Sequence, residues 1–156
     1  MNENIFKIKG ERTIRSKFVN FFRKIKWCYQ RCTRGYADID WFDMSYYIQN
    51  VIPSMLRELA VKGQGYPIGD EFKTYESWED YLLEIARHFE NSREDQTVME
   101  NNCIKPWLSN ETKDTEAYKQ ICKDYFLRDK EIHEWQNKEI HKAFEMMAHV
   151  FWNLWD

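Results

Sequence analysis

Hydrophobic residues recur at steps of three and four along most of this chain, a spacing that places side chains on one face of an α-helix. In residues 13–30 the apolar positions form one stripe, and the Lys and Arg residues lie off it. We therefore predict an amphipathic helix with a buried apolar side and a basic outer face, ending near Gly35. The stripe comprises Ile14, Phe18, Phe21, Phe22, Ile25 and Cys28.

Two more helices are predicted in the middle of the chain. The first covers residues 40–61, and Pro53 is expected to kink or split it because proline removes a backbone donor. A loop punctuated by Gly and Pro follows at residues 63–72, and Ser77 is expected to cap the next helix. The expected buried positions are Met44, Ile48, Val51, Ile52, Met55, Leu56 and Leu59 in the first of these helices, and Trp78, Leu82, Ile85, Ala86 and Phe89 in the second.

The C-terminal part of the chain predicts a polar connection followed by a long helical region. Residues 91–112 are polar and form the connection. Residues 115–155 are helical in pattern nearly throughout, and the pattern allows a break near Arg128 and Asp129. We predict an all-α fold, a single-domain bundle of about four to five helices over residues 1–156, with residues 1–36 as a basic N-terminal helix or arm.

Charge is distributed unevenly along the sequence. Residues 1–36 contain ten Lys or Arg against two acids, whereas the whole chain has a formal net charge of -3. Such a chain can pair its own halves, associate head to tail, or offer a basic surface to a phosphate-bearing partner. Bulk double-stranded nucleic acid is not an expected partner, because the acidic remainder repels it.

Hydropathy predicts no membrane partner. No apolar run approaches the roughly 20 residues of a membrane span. Basic residues also interrupt the N-terminal segment, so it lacks the apolar core of a secretory signal. We therefore expect a cytoplasmic protein.

Catalytic motifs are absent from the sequence. HExxH, GxSxG, a P-loop and GxGxxG do not occur. His133, His141 and His149 repeat every eight residues and do not share one helix face. The acids Asp38 and Asp40, with Asp43, suit helix capping better than a cation site. We predict a protein that is not an enzyme and has no cofactor or metal, and we keep a metal-dependent hydrolase using Asp38, Asp40 and a C-terminal histidine as a third alternative.

Aromatic and basic residues cluster around residues 34–48 and the glycine-containing loop. Aromatic rings stack on nucleobases, and Arg pairs with phosphates, so these residues predict a site for a small nucleotide-type ligand. Asp38 and Asp40 either cap the second helix or hydrogen-bond a base or ribose. The simpler alternative is that the aromatic residues fill the core. The predicted ligand-binding residues are Arg31, Arg34, Tyr36, Asp38, Asp40, Trp41, Tyr66 and Trp78.

Several segments together resemble a group of small phage-encoded proteins. The group shares a pattern R-G-Y-[AS]-D-x-D-x-W, followed by an aromatic helix with IP-x-x-L-x-x-L, a YP loop, a W-x-x-x-L helix and a C-terminal LWD. In this chain Trp41 follows the second acid directly, one position earlier than in the pattern. The corresponding segments are residues 34–40 (RGYADID), 52–59 (IPSMLREL), 66–67 (YP), 78–82 (WEDYL) and 151–156 (FWNLWD).

The resemblance implies a phage accessory protein that acts in the host cytoplasm. Small phage proteins without catalytic motifs include oligomeric sponges that sequester cyclic nucleotide signals, as anti-CBASS and anti-Thoeris proteins do. By that analogy we expect a homo-oligomer that sequesters a cyclic dinucleotide or a cyclic ADP-ribose type of signal. The alternative is a non-enzymatic inhibitor that binds a host defence or replication protein.

Overall fold

A computed structural model describes residues 14–67, 69, 71–104 and 116–155, with side chains from residue 18 onward. Helices make up most of these residues, and no strand occurs among them. The elements are α1 (Ile14–Arg34), α2 (Asp38–Phe42), α3 (Met44–Lys62), α4 (Tyr75–Asn91), α5 (Glu116–His149) and a 3-10 turn at Phe151–Asn153. The predicted all-α fold of four to five helices is confirmed.

Two predicted segments fall partly outside the described residues. The basic N-terminal arm, residues 1–36, is described only from residue 14, and the connection at residues 91–112 only as far as residue 104. Residues 93–104 form turns and bends between α4 and α5, apart from a single helical residue at Ile104. That residues 1–156 form a single domain stays a prediction.

The centre of the fold is α4, which packs against α3 on one side and α5 on the other. All five predicted apolar positions of α4 are buried, because both flanks of its stripe are covered. Two hydrogen bonds between helices show in which direction each helix runs. Gln49 near the start of α3 bonds Ser92 at the end of α4, and Tyr81 of α4 bonds Met146 near the end of α5. Both neighbours of α4 therefore run antiparallel to it.

The predicted helix over residues 40–61 is in fact two helices. Asp43 ends α2 and accepts a hydrogen bond from the backbone N of Tyr46 at 3.2 Å, so it caps α3. Pro53 was expected to kink or split this segment, and it does not split α3, which runs unbroken from Met44 to Lys62 with Pro53 buried. Packing of α3 on α4 offsets the backbone hydrogen bond that proline removes.

Two other boundary predictions are wrong. The N-cap of α4 is Thr74, whose side chain accepts from the backbone N of Ser77. Ser77, the predicted cap, instead lies in the first turn, and its hydroxyl oxygen accepts a hydrogen bond from the backbone N–H of Thr74 at 3.3 Å. The break allowed near Arg128 and Asp129 does not occur, because α5 is continuous from Glu116 to His149.

The orientation of α1 is the largest departure from the sequence prediction. Its apolar stripe was expected to face the core, but Phe18, Phe21, Phe22 and Ile25 are each more than half exposed. The opposite face of the helix holds the buried Asn20 and the half-buried Trp27 and Arg31. Polar contacts to α2, described below, fix this orientation. Among the residues that the structure describes, nothing covers most of this apolar stripe.

Candidate functional site

The candidate site is built around the turn that joins α1 to α2. Gly35 has φ +82°, a conformation that glycine adopts without a steric penalty, and its N–H bonds the carbonyl of Arg31 at 3.0 Å. The turn reverses the chain, so that α2 begins beside the last two turns of α1. The arginines that end α1 therefore lie next to the aspartates that begin α2.

Arg31 and Asp40 form a bidentate ion pair. Arg31 Nε donates to Asp40 Oδ2 at 2.8 Å, and Arg31 Nη2 donates to Asp40 Oδ1. The backbone N–H of Ala37 also donates to Asp40 Oδ2, at 2.7 Å. The side chains of Arg31 and Asp40 are only 16% and 4% exposed. This pair fastens α1 to α2, so Arg31 is a structural residue and not the exposed phosphate contact that its sequence position suggested.

Asp38 is the meeting point of three donors from α1. Gln30 Nε2 donates to Asp38 Oδ2 at 2.7 Å, Lys26 Nζ lies 2.9 Å from the same oxygen, and Arg34 Nη2 donates to Oδ1. The hydrogen bond from Gln30, followed by those from Lys26 and Arg34, holds the pKa of the Asp38 carboxyl well below its usual range. Opposite charges in the two parts of the chain thus pair locally, as the self-pairing alternative expects.

An open cleft of about 620 Å³ lies beside these ion pairs, and its walls are mostly apolar. Arg34 borders it. The Arg34 guanidinium carbon lies 4.6 Å from the centroid of the Tyr36 ring, and its Nε donates to the Tyr36 carbonyl at 2.9 Å. The Arg31 guanidinium lies 5.9 Å from the centroid of the Tyr47 ring on α3. The cleft residues are Arg34, Tyr36, Asp40, Trp41, Met44, Tyr47 and Ile48.

Four of the eight residues predicted from sequence line this cleft, namely Arg34, Tyr36, Asp40 and Trp41. Trp41 is well exposed. Arg31 and Asp38 do not line the cleft, but each is ion-paired to a residue that does. The structure therefore brings the motif residues of the prediction together in one place.

Trp78 and Tyr66 lie away from the cleft. Trp78 is 2% exposed and packs in the core, with its ring centroid 5.0 Å from that of Phe72. The prediction that Trp78 stacks on a ligand is therefore wrong, and for this residue the core-filling alternative holds. Tyr66 lies in the loop after α3, whereas the cleft adjoins the start of α3.

The sequence prediction missed three cleft residues, Met44, Tyr47 and Ile48. All three lie in the first two turns of α3, directly after the motif, and positions 44, 47 and 48 share one helix face. Met44 and Ile48 were assigned to the buried stripe. This spacing was the signal available in the sequence. The face of α3 that holds positions 44, 47 and 48 follows directly after the motif, so it borders the same cleft as the motif residues.

His88 of α4 and Glu139 of α5 pair with each other between the two helices. Buried His88 contacts Glu139 through Nδ1 at 2.8 Å, and Asn91 donates to the same carboxylate oxygen at 2.7 Å. Burial raises the pKa of Glu139, but the hydrogen bonds from Asn91 and His88 outweigh it and lower the pKa overall. Across the described residues there is no group of three or more His, Cys, Asp or Glu placed to hold a metal ion. The α5 histidines contact acids or carbonyls of α5 and the loop before α4, not Asp38 or Asp40.

Comparison with known proteins finds no matching family model, no similar curated protein and no similar solved structure. Among the described helices, none combines the length and apolar character needed to cross a bilayer.

Proposed function

We propose that this chain is a non-catalytic binding protein whose cleft takes the planar aromatic group of a small nucleotide-type ligand. The observation that carries the proposal is the convergence of Tyr36, Trp41 and Tyr47 on one mostly apolar cleft that Arg34 borders. Ligand sites typically combine apolar and aromatic walls with a few placed polar groups. The cleft has this composition.

The size of the cleft suits a ligand with one or two nucleotides. Its volume of about 620 Å³ falls within the roughly 300–1,000 Å³ of small-molecule sites. Stacking of a base on an aromatic side chain contributes about 1–3 kcal/mol. In our proposal Tyr36 and Trp41 supply the stacking surfaces, beside the buried Asp40 in the lining of the cleft.

Arg34 is the proposed phosphate contact. Its side chain is 39% exposed, whereas that of Arg31 is 16% exposed. Asp38 keeps Gln30 and Lys26 as partners when Arg34 turns toward a phosphate, so the carboxylate is not left unpaired. The exchange costs little because it replaces one charge-assisted hydrogen bond by another. Asp38 is thus the ion-pair partner of Arg34 when no phosphate is bound.

The biological setting that we propose comes from the resemblance carried by residues 34–40 and the segments after them. A phage accessory protein with such a cleft would sequester a host immune signal, a cyclic dinucleotide or a cyclic ADP-ribose isomer, in the host cytoplasm. It would act without catalysis and as a homo-oligomer.

Thermal unfolding in the presence of a nucleotide panel tests the proposal. The panel holds cyclic di- and trinucleotides, cyclic ADP-ribose isomers and linear mononucleotides as controls. A ligand at a hundredfold its dissociation constant adds about 2.7 kcal/mol of stability, which raises the melting temperature by several degrees. We expect the shift in the wild type and its loss in Arg34→Ala. The matched control is Arg57→Ala, which removes an exposed, ion-paired arginine outside the cleft.

A protein partner is the second candidate, and one observation favours it. Trp41, Phe42 and Met44 form a run of exposed apolar side chains at and beside the cleft. Exposed aromatic and Met side chains are typical of protein interfaces. If no member of the nucleotide panel shifts the melting temperature, the nucleotide proposal fails and the non-enzymatic inhibitor of a host protein becomes the leading function.

A further inference from the structure

The apolar residues of α1 alternate in steps of three and four along the helix. Such a spacing places them at the a and d positions of a heptad repeat, the pattern by which one helix packs lengthwise against another in a coiled coil. Two further aromatic residues occupy the adjoining e positions. We define the α1 seam as Phe18, Phe21, Ile25, Cys28 and Cys32 at a and d, with Phe22 and Tyr29 at e.

The α1 seam lies on the surface of the chain. The exposed fractions of its four aromatic residues range from 57% to 68%, and Ile25, Cys28 and Cys32 are exposed as well. At roughly 200 Å² per aromatic side chain, the four together expose roughly 500 Å². Patches of about 300–600 Å² are the largest that typical monomers carry, and they are often interaction sites.

The side chains that fasten α1 to α2 lie off this seam. Four residues of α1 contact Asp38 or Asp40, and they occupy the b, f, g and c positions of the same heptads. A second helix can therefore pack along the seam without displacing the ion pairs that orient α1. The four residues are Lys26, Gln30, Arg31 and Arg34.

We propose that α1 pairs with α1 of a second copy along this seam, in parallel and in register, so that the protein is a two-fold dimer. A two-fold interface uses the same patch on both copies, and a heptad seam meets this condition because a faces a and d faces d. Two copies supply roughly 1,000 Å² of aromatic surface, to which Ile25 and the cysteines add. That is about the area that a specific interface buries.

Lys24 favours the parallel orientation. It occupies a g position, and Tyr29 occupies the e position of the following heptad. In a parallel pair these positions face each other across the interface, so the aliphatic stem and ammonium group of Lys24 lie against the Tyr29 ring of the second copy. An antiparallel pair instead sets the two g edges, each carrying Lys24, against each other, and the like charges repel.

The pairing gives the homo-oligomer of the proposed function a defined interface. Arg34 ends α1 and borders the cleft, so a parallel pair carries the clefts of both copies at the same end of the paired helices. The pairing itself needs no bound nucleotide. Its tests are therefore made without ligand, and a nucleotide panel that gives no thermal shift leaves their outcome unchanged.

Disulfide cross-linking reads the pairing directly. Helix axes about 8–10 Å apart, with Cα atoms about 2.3 Å from each axis, bring facing Cα atoms to within about 6 Å, which a disulfide spans. Each test protein keeps one cysteine, has alanine in place of the others, and is oxidised with diamide. The Cys28-only and Cys32-only proteins should form linked dimers at least about tenfold faster than the control, because pairing raises the effective thiol concentration.

The matched control is Thr33→Cys in a chain whose four cysteines are replaced by alanine. Position 33 is exposed and directly follows Cys32, but it is a b position that points away from the seam. It therefore reports collisions between unpaired surfaces. Cross-linking of the Cys28-only protein no faster than that of this control overturns the parallel seam.

Sedimentation velocity of the full chain measures the association itself. We expect a dimer that dissociates on dilution, and a monomer for the double variant Phe21→Ser/Ile25→Ser, which removes one d and one a side chain. Phe126→Ser, on exposed α5 surface away from the seam, should remain dimeric. Circular dichroism checks that both variants are helical. A wild type that is monomeric at every concentration, or a helical double variant that still dimerises, overturns the inference.

Discussion

Asp40, in the first turn of α2, holds Arg31 of α1 in a bidentate ion pair across the Gly35 turn, and both side chains are largely buried. The pair explains why α1 turns its arginine-bearing face inward and its phenylalanines outward. The pair requires the Arg31 side of the helix to face α2, which leaves the phenylalanines on the opposite side. The orientation of α1 therefore follows from two residues nine positions apart.

Removal of Arg31 should destabilise the fold strongly. Arg31→Met leaves the Asp40 carboxylate buried without its main partner, and breaking a buried pair costs about 3–5 kcal/mol. Since the Arg31 side chain retains some exposure, we expect about 3 kcal/mol in urea unfolding. Arg57→Met breaks the exposed pair with Glu90 and should cost less than about 1 kcal/mol. Equal losses for the two variants would show that the Arg31–Asp40 pair does not fasten α1.

Asp38 should make stability depend on pH in the acid range. Its pKa is lowered in the fold, so the folded chain binds fewer protons there than the unfolded chain. The stability from Asp38 is full above pH 4 and is lost as the pH falls below the ordinary value of 3.8. Asp38→Asn should therefore lower stability at pH 7 and flatten the decline between about pH 4 and 2. A decline as steep as that of the wild type would contradict this assignment.

Gly35 should resist substitution because of its backbone conformation. A left-handed residue with a Cβ costs about 1–2 kcal/mol, so Gly35→Ala should lose that amount of unfolding free energy. No atom lies within 4 Å of the added Cβ, so a steric clash does not contribute. Gly65 offers a control with equally open space and no positive φ, and Gly65→Ala should change stability by less than about 0.5 kcal/mol. If Gly35→Ala and Gly65→Ala change the free energy of unfolding equally, the positive φ at position 35 does not penalise a side chain.

The sequence pattern predicted well where the helices lie, and it predicted less well which helix faces are exposed. The stripe of α4 was assigned correctly because α3 and α5 cover it on both sides, as the periodicity assumes. The stripe of α1 has the same periodicity and is exposed. Periodicity shows which residues share a face, but the contacts that decide which face turns inward, here Arg31 to Asp40, lie between separate elements.

The candidate site was likewise predicted correctly in one part and wrongly in another. The motif residues Arg34, Tyr36, Asp40 and Trp41 meet in the cleft because a short turn and a short helix hold them within seven residues of one another. Trp78 is nearly forty residues away, and its position in the middle of the α4 stripe was already a core signal. Closeness to the motif in the sequence therefore predicted which residues line the cleft better than aromatic residue type did.

Trp78 should affect stability and not ligand affinity. Trp78→Phe leaves a gap in the core and should cost about 1–2 kcal/mol in urea unfolding. The same change at exposed Trp41 should cost less than about 0.5 kcal/mol. The folded Trp78→Phe variant should bind nucleotide within twofold of the wild type. A marked loss of nucleotide affinity in that variant would show that Trp78 belongs to the binding site.

The most direct test of the account is the calorimetric affinity of Tyr36→Ala for the nucleotide that stabilises the wild type most. Loss of one stacked base contact of at least about 1 kcal/mol predicts at least about a fivefold weaker dissociation constant. Tyr46→Ala is the matched control, since Tyr46 is comparably exposed and lies outside the cleft lining, and it should bind within twofold of the wild type. Equal affinities for Tyr36→Ala and Tyr46→Ala, with both variants folded, would contradict the claim that this cleft is the binding site.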